Sequence, residues 1–157
     1  MKAEHRGKKQ DFSKILKSAG LKNTPRRQLV MNTLASSEVP KTVEDIYFSV
    51  KEGENDINLS TVYRILKTFV DKGLAAKQEI GPEGRTVYEY AREMHRHYLV
   101  CLGCNKMITL RDCPLSDYEK ELEKTTDYSI VGHDLSMYGY CPECKNKINR
   151  PQNDNRE

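Results

Sequence analysis

The sequence predicts a two-part α/β (α+β) chain: an amino-terminal winged helix-turn-helix domain followed by a small carboxy-terminal α/β domain. Three observations predict it. Residues 1–90 hold no cysteine, whereas all five cysteines fall between Cys101 and Cys144. Charge divides at the same place: 16 Lys/Arg against 12 Asp/Glu (+4) in residues 1–90, and 10 against 11 (−1) in residues 91–157. Helical periods and then a hairpin signal fill the first part, and short strands fill the second. The boundaries read as a winged helix over 1–90 with a basic tail over 1–10, a hinge over 91–94, a metal-binding domain over 95–149 and a disordered polar tail over 150–157.

Composition sets the outer limits. The chain has 157 residues, 37% hydrophobic and 31% charged, a thin apolar supply for two cores. It has no apolar run long enough for a transmembrane helix, so no membrane partner is expected. The start, Met1 to Lys9, lacks the apolar segment of a secretory signal. The expected location is cytoplasmic, where thiols stay reduced, so the cysteines point to metal or redox chemistry before disulfides. The first 35 residues carry nine Lys/Arg against two Asp/Glu. That is the electrostatic footprint of a polyanion binder, although a solubilising surface gives the same count.

The elements follow in order. Phe12, Ile15, Leu16 and Ala19 have the spacing of one helical face, and Gly20 stops that helix. Thr24-Pro25 supplies an N-cap and a first-turn proline for a second helix that buries Leu29, Val30, Thr33 and Leu34. Thr42-Val43-Glu44-Asp45 opens a third, with acids in the first turn and Val43, Ile46, Tyr47 and Val50 on its face. After a turn over Gly53 to Asn58, residues Ser60 to Val70 form a fourth helix with Val62, Ile65, Leu66, Phe69 and Val70 inward. Its outer side carries Ser60, Thr61, Tyr63, Arg64 and Lys67, hydroxyls and cations without an acid. Recognition helices have this make-up. Ala75–Ile80 and Thr86–Tyr90 read as strands joined by Gly81-Pro82-Glu83-Gly84-Arg85. Helices followed by a hairpin make a winged helix; a solvated bundle without a ligand is the plain alternative.

In the second part, Cys101-x-x-Cys104 and Cys141-x-x-Cys144 are separated by 36 residues. Four thiolates in two such pairs suit a closed tetrahedral zinc site, which is structural because no position stays open. A single pair would also fit a redox site, so a thiol redox enzyme is a rival reading, and a zinc-stabilised protein-interaction module is another. His95, His97 and His133 flank the pairs, and the odd cysteine, Cys113, precedes Asp117 and Glu121 on an expected helix. On a strand His95 and His97 share a side. These residues suggest a second, regulatory metal site, and a thiolate with imidazoles favours Zn²⁺ over Fe²⁺ or Mn²⁺. Cys113 could instead be a small buried hydrophobe. Tyr98–Val100 and Met107–Leu110 read as strands, Leu115–Lys124 as a helix, and Tyr128–Tyr138 as one or two further strands. The small sheet leaves an edge that a second copy would cover.

Taken together, Gly20-Leu21-Lys22-x-Thr24-x-x-Arg27, Ser60-Thr61-Val62-Tyr63-Arg64, His95-Arg96-His97-Tyr98-Leu99-Val100-Cys101-x-x-Cys104 and His133…Tyr138-Gly139-Tyr140-Cys141-x-x-Cys144 resemble the signatures of the ferric-uptake-regulator (Fur) family of metal-responsive repressors. The resemblance runs from about Phe12 to Lys147. It implies a homodimer with a carboxy-terminal dimerisation domain, a structural zinc on the four cysteines (about one per chain), a sensory metal, and an AT-rich palindromic operator in double-stranded DNA. Tyr63 and Arg64 would contact bases and phosphate, and Lys22 would approach the minor groove, where A·T narrowing attracts cations. The family pattern has a His where this chain has Tyr98, and ligands where it has Arg96 and Pro40; of that hinge-proximal site only Glu89 remains. His95, His97 and His133 match the family's other sensory site. Its acidic ligand falls at Ser116, for which Cys113, or less favourably Asp117, would substitute. The expectation is therefore zinc sensing, as in the zinc-uptake branch, with iron sensing as the alternative.

Overall fold

The computed structural model describes residues 10–52, 56–91, 96–110 and 112–148. It divides into two compact units, Met1–Glu93 and Met94–Glu157. The basic tail up to residue 9, hinge positions 92–94, His95 and the tail from 150 lie outside the described residues, as does Gly53.

The first unit runs α1 (Ser13–Ser18), α2 (Pro25–Ser36), α3 (Val43–Lys51), α4 (Leu59–Asp71), β1 (Ala75–Ile80) and β2 (Arg85–Tyr90). Each helix starts where a side chain can take the first free N–H groups. Thr24 accepts from Arg27 N and is followed by Pro25. Thr42 and Asp45 form a reciprocal capping box. The Asn58 side chain accepts from Thr61 N and receives the Ser60 hydroxyl, both at 2.8 Å. The first helix is shorter than its apolar spacing suggests, because Asp11 turns the chain by accepting from Ser13 N and Ser13 Oγ. At the end of α4, Gly73 adopts φ +67°. Gly73 N then donates to Val70 O at 3.0 Å, and Leu74 N to Phe69 O at 2.8 Å. This paired closure needs the left-handed conformation that glycine adopts without strain.

β1 and β2 pair antiparallel from Ala75↔Tyr90 to Ile80↔Arg85, and Lys41 adds a bridge to Tyr88. One apolar cluster joins these elements. Phe12, Leu16, Val30, Met31, Leu34, Ile46, Val50, Val62, Leu66 and Phe69 are buried in it. In α2 the fully buried residues are Val30, Met31 and Leu34; Leu29 and Thr33 are only partly covered. α4 separates its faces sharply. Val62, Ile65, Leu66 and Phe69 are buried, while Ser60, Tyr63, Arg64 and Lys67 are exposed.

The second unit runs β3 (His97–Cys101), β4 (Met107–Leu110), α5 (Ser116–Thr126), β5 (Ser136–Gly139) and α6 (Pro142–Ile148). Its sheet has the order β4-β3-β5. β3 is antiparallel to β4 (His97↔Leu110 to Val100↔Met107) and parallel to β5 (Tyr98↔Ser136 to Cys101↔Gly139). The expected strand over Tyr128–Tyr138 shortens to Ser136–Gly139. Tyr128 to Val131 pairs with none of the described strands, and Val131 is fully exposed. α6 was not anticipated. Pro142 at its first position, Glu143 in the first turn and Lys145 and Lys147 in the last fit a short helix with its dipole compensated. No helix among the described residues is long and apolar enough to cross a membrane.

The split of α4 into two faces yields a contrast. Leu66→Ala should cost about 2–5 kcal/mol of folding stability by leaving a cavity. Tyr63→Ala, on the exposed face, should stay within about 0.5 kcal/mol of the parent. Urea unfolding of the two variants checks it, and equal losses would mean that the faces are misassigned.

Candidate metal centres and nucleic-acid interface

The four-cysteine cluster follows from strand register. Cys101 ends β3 opposite Gly139, and Cys141 lies two residues beyond Gly139. Leu102 N donates to Gly139 O at 2.7 Å and ties the first cysteine turn to β5. Asn105 reverses that turn with φ 59°, its N–H donating to Cys101 O at 2.8 Å. The second turn is the start of α6, where Lys145 N donates to Cys141 O at 2.8 Å. All four sulfurs fall within 4.8 Å of one another.

Tetrahedral Zn–S bonds of about 2.3 Å place sulfurs about 3.8 Å apart. Cys104 Sγ and Cys141 Sγ are 3.8 Å apart, so the donor set fits zinc. Backbone N–H groups aim at the sulfurs: Cys141 N donates to Cys101 Sγ at 3.2 Å and Cys144 N to Cys141 Sγ at 3.5 Å. The Cys141 N–H, with those of Cys104 and Gly103, pulls the Cys101 thiol down to about 6. Cys144 is pushed up to about 12, chiefly by the Cys141 side chain beside it. Crowded sulfurs resist simultaneous ionisation, and a bound cation removes that resistance. Gly103 is required sterically, since a Cβ there would lie 2.8 Å from Cys144 Sγ and 2.9 Å from Cys144 Cβ.

A second cluster stands at the opposite end of β3. His97, its first residue, is buried at 3% exposure. Cys113 lies just beyond β4, and His133 just before β5. Cys113 Sγ is 3.3 Å from His97 Nε2 and 3.3 Å from His133 Nε2, and the two Nε2 atoms are 2.9 Å apart. The rings stack with centroids 4.7 Å apart. One thiol and two imidazole nitrogens thus converge on one point, a donor set suited to a borderline-soft ion. The four positions from His97 to Cys101 separate the two clusters by about 13 Å at the usual strand rise.

The other expected regulatory ligands fall elsewhere. Asp117 is exposed and pairs with Lys120 at 3.0 Å. Glu89 belongs to the first unit, where it accepts from Gln78 Nε2 at 2.6 Å. His95 is outside the described residues. The acid that reaches the cluster is Glu119, whose Oε1 lies 2.5 Å from His133 Nδ1. Helical geometry separates it from Asp117 by about 200°. Leu115 and Leu122, spaced one turn either side of it and half-buried with it, were the sequence signal for that face.

In the first unit, Lys22, Arg26, Arg27, Thr61, Arg64 and Thr68 line one open groove with no acidic residue in its lining. Arg27 donates to Lys22 O at 2.8 Å and so shapes the loop that carries Lys22. Arg26 and Arg27 were not singled out from the sequence as interface residues. Arg64 lines this groove, Ser60 and Tyr63 a neighbouring one with Val43, Glu44 and Leu59, and Lys67 is exposed on the same helix.

Comparison with known proteins agrees with this layout. Residues 18–138 match the Ferric uptake regulator family. The chain is 30% identical over 138 residues to a ferric uptake regulation protein of Campylobacter jejuni, covering 87% of each chain. It is 28% identical over 132 residues to the peroxide-responsive repressor PerR of Staphylococcus aureus, covering 84% of this chain and 88% of that one. The crystal structure of the Vibrio cholerae ferric uptake regulator superposes with a TM-score of 0.73 at 31% identity, over 83% of this chain and all of that one. The chain therefore belongs to the ferric uptake regulator family, whose members are dimeric, metal-responsive, DNA-binding transcriptional regulators and not enzymes.

Proposed function

We propose that this chain is a cytoplasmic repressor of metal uptake that binds an AT-rich palindromic operator as a homodimer when its regulatory site is loaded, and that zinc is the ion it senses. The observation that carries this reading is the convergence of His97, Cys113 and His133 on one point. A thiolate among the donors favours zinc over Fe²⁺ or Mn²⁺. Cys101, Cys104, Cys141 and Cys144 hold a separate structural zinc. Iron sensing is the second reading, supported by the likeness to ferric uptake regulation proteins.

A bound ion supplies a positively charged node joining groups from β3, the β4–α5 connection and the segment before β5. The chain's own part is to offer those groups from three separate stretches, so that their ordering is coupled to occupancy. Occupancy alters DNA affinity only through a difference in ion affinity between the DNA-competent form and the others. The coupling is reciprocal, and operator DNA tightens ion binding. Pairing of β4 or β5 edges with a second copy accounts for the dimer. On DNA, α4 offers Ser60, Thr61, Tyr63, Arg64 and Lys67, and Lys22 reaches the minor groove beside it.

Gel shifts on AT-rich palindromes, with Zn²⁺, Fe²⁺ and Mn²⁺ titrated separately, test the reading. Zn²⁺ should promote binding at the lowest free concentration; promotion by Fe²⁺ alone would transfer the reading to iron. Cys113→Ala and His133→Ala should abolish metal-stimulated binding while keeping about one zinc per chain on the closed thiolate site.

For the interface, Arg64→Ala should weaken operator binding by about 1–3 kcal/mol if it reads a base edge. Lys67→Ala should weaken all sequences alike and lower the salt slope by about one. Unchanged affinity in Arg64→Ala, Tyr63→Ala and Lys67→Ala would remove α4 from the interface.

For the structural zinc, Gly103→Ala should speed its loss to a chelator, because the added methyl meets the Cys144 sulfur. Chelator-resistant zinc in that variant would place the Cys144 sulfur outside the ligand set.

A further inference from the structure

Glu119 lies on the half-buried face of α5, with Oε1 2.5 Å from His133 Nδ1. The other ring nitrogen of His133, Nε2, is 3.3 Å from Cys113 Sγ and 2.9 Å from His97 Nε2. A neutral imidazole carries its single proton on one nitrogen and a lone pair on the other. An ionised carboxylate only accepts hydrogen bonds, so its contact with Nδ1 places the proton there. The Nε2 lone pair is then directed at Cys113 and His97. The imidazole ring separates the two nitrogens, so the Glu119 oxygen bound at Nδ1 faces away from the point on which Nε2 converges.

We propose that Glu119 is a positioning residue of the regulatory site: it accepts the His133 Nδ1–H, fixes the ring's tautomer and angle, and presents Nε2 as a ligand. This deepens the reading of His97, Cys113 and His133 as an ion site, and rests on it. Local structure supports the assignment. Cys113 leads through Pro114 and Leu115 directly into α5, and Glu119 N donates to Leu115 O at 2.8 Å. A ligand and the group that orients another ligand therefore sit on one short segment, anchored by the first turn of a helix. Outer partners of this kind raise ligand basicity and restrict ring rotation.

The test uses the full chain with zinc retained on its four cysteines and Co²⁺ added as the probe. Binding is followed by the cobalt d–d bands and the sulfur-to-cobalt charge-transfer band. Nitrogen NMR of the His133 ring reports the tautomer before Co²⁺ is added. Glu119→Ala should weaken Co²⁺ binding about 10–100-fold, with the band envelope unchanged and the His133 tautomer no longer held at Nδ1–H. Glu119→Gln keeps a carbonyl acceptor and nearly the same shape. It should lose less affinity and keep the tautomer. Thermal unfolding of the variants before Co²⁺ is added should match the parent, separating positioning from folding.

Parent-like Co²⁺ affinity in Glu119→Ala overturns the proposal. So does a d–d envelope that changes coordination type, which would make Glu119 a direct ligand. Absence in the parent chain of a second Co²⁺ with a charge-transfer band that Cys113→Ala removes would sink the ion site itself, and the proposal with it.

Discussion

The parallel pairing of β3 with β5 is the constraint from which the second unit takes its chemistry. With Cys101 opposite Gly139, Cys141 arrives beside Cys101 and Leu102 N reaches Gly139 O. The same pairing, read toward the other strand end, brings His133 to His97. A slip of one residue would turn alternate side chains to the wrong face and scatter both clusters at once. A parallel pair also needs a long crossover. Here the crossover is β4 and α5, which is why Cys113 and Glu119 come to the same end of the sheet. The register is weakly supported by apolar burial. Among the described residues of this unit, Tyr98, Val100, Cys101 and Cys144 are the buried apolar ones, with His97 beside them. An ion held by the four thiolates would then contribute to folding, as expected where a core is small.

The first unit is organised differently. Its core is a closed apolar cluster that needs no ion, and the burial of Val62, Leu66 and Phe69 fixes how α4 rotates about its axis. Rotation in turn decides that Tyr63, Arg64 and Lys67 face outward. Arg64 shares its groove with Lys22, Arg26 and Arg27, contributed by the loop and first turn of α2. Packing thus gathers cations that lie about forty residues apart in the chain into one positive surface, a local field that net charge alone does not reveal.

Much of this was legible beforehand because it rests on local rules. Thr24-Pro25, Thr42 with Asp45, and the stripe of α4 announce their elements through capping and period. Two C-x-x-C pairs announce a thiolate cluster through spacing. What was illegible depends on partners distant in sequence. Nothing local says that Tyr128 to Val131 stays outside the sheet, since strand pairing is decided by segments distant in the chain. Glu119 was passed over for Asp117 and Glu121 because all three are acids on one helix. Only the inward side, marked by Leu115 and Leu122, distinguishes them. α6 was missed because seven residues are too few for a periodic signal, leaving its proline and end charges as the only clues.

The same contrast bears on which ion matters. Relatives at 28–31% identity include a ferric uptake regulator and a peroxide-responsive repressor, so shared fold does not select the effector. Selection resides in a few donors. Tyr98, where the family pattern has a histidine, is buried at 1% exposure and belongs to the core. Pro40 stands where that pattern has another ligand. Cys113 meets His97 and His133 where an acid would be expected. Exchange of a hard oxygen donor for a thiolate moves a site's preference away from Fe²⁺ and Mn²⁺ toward zinc, independently of how the DNA-binding unit is built. On the proposed reading, the metal preference of this chain would turn on the Cys113 side chain, and the fold's part is to bring that sulfur to two imidazoles.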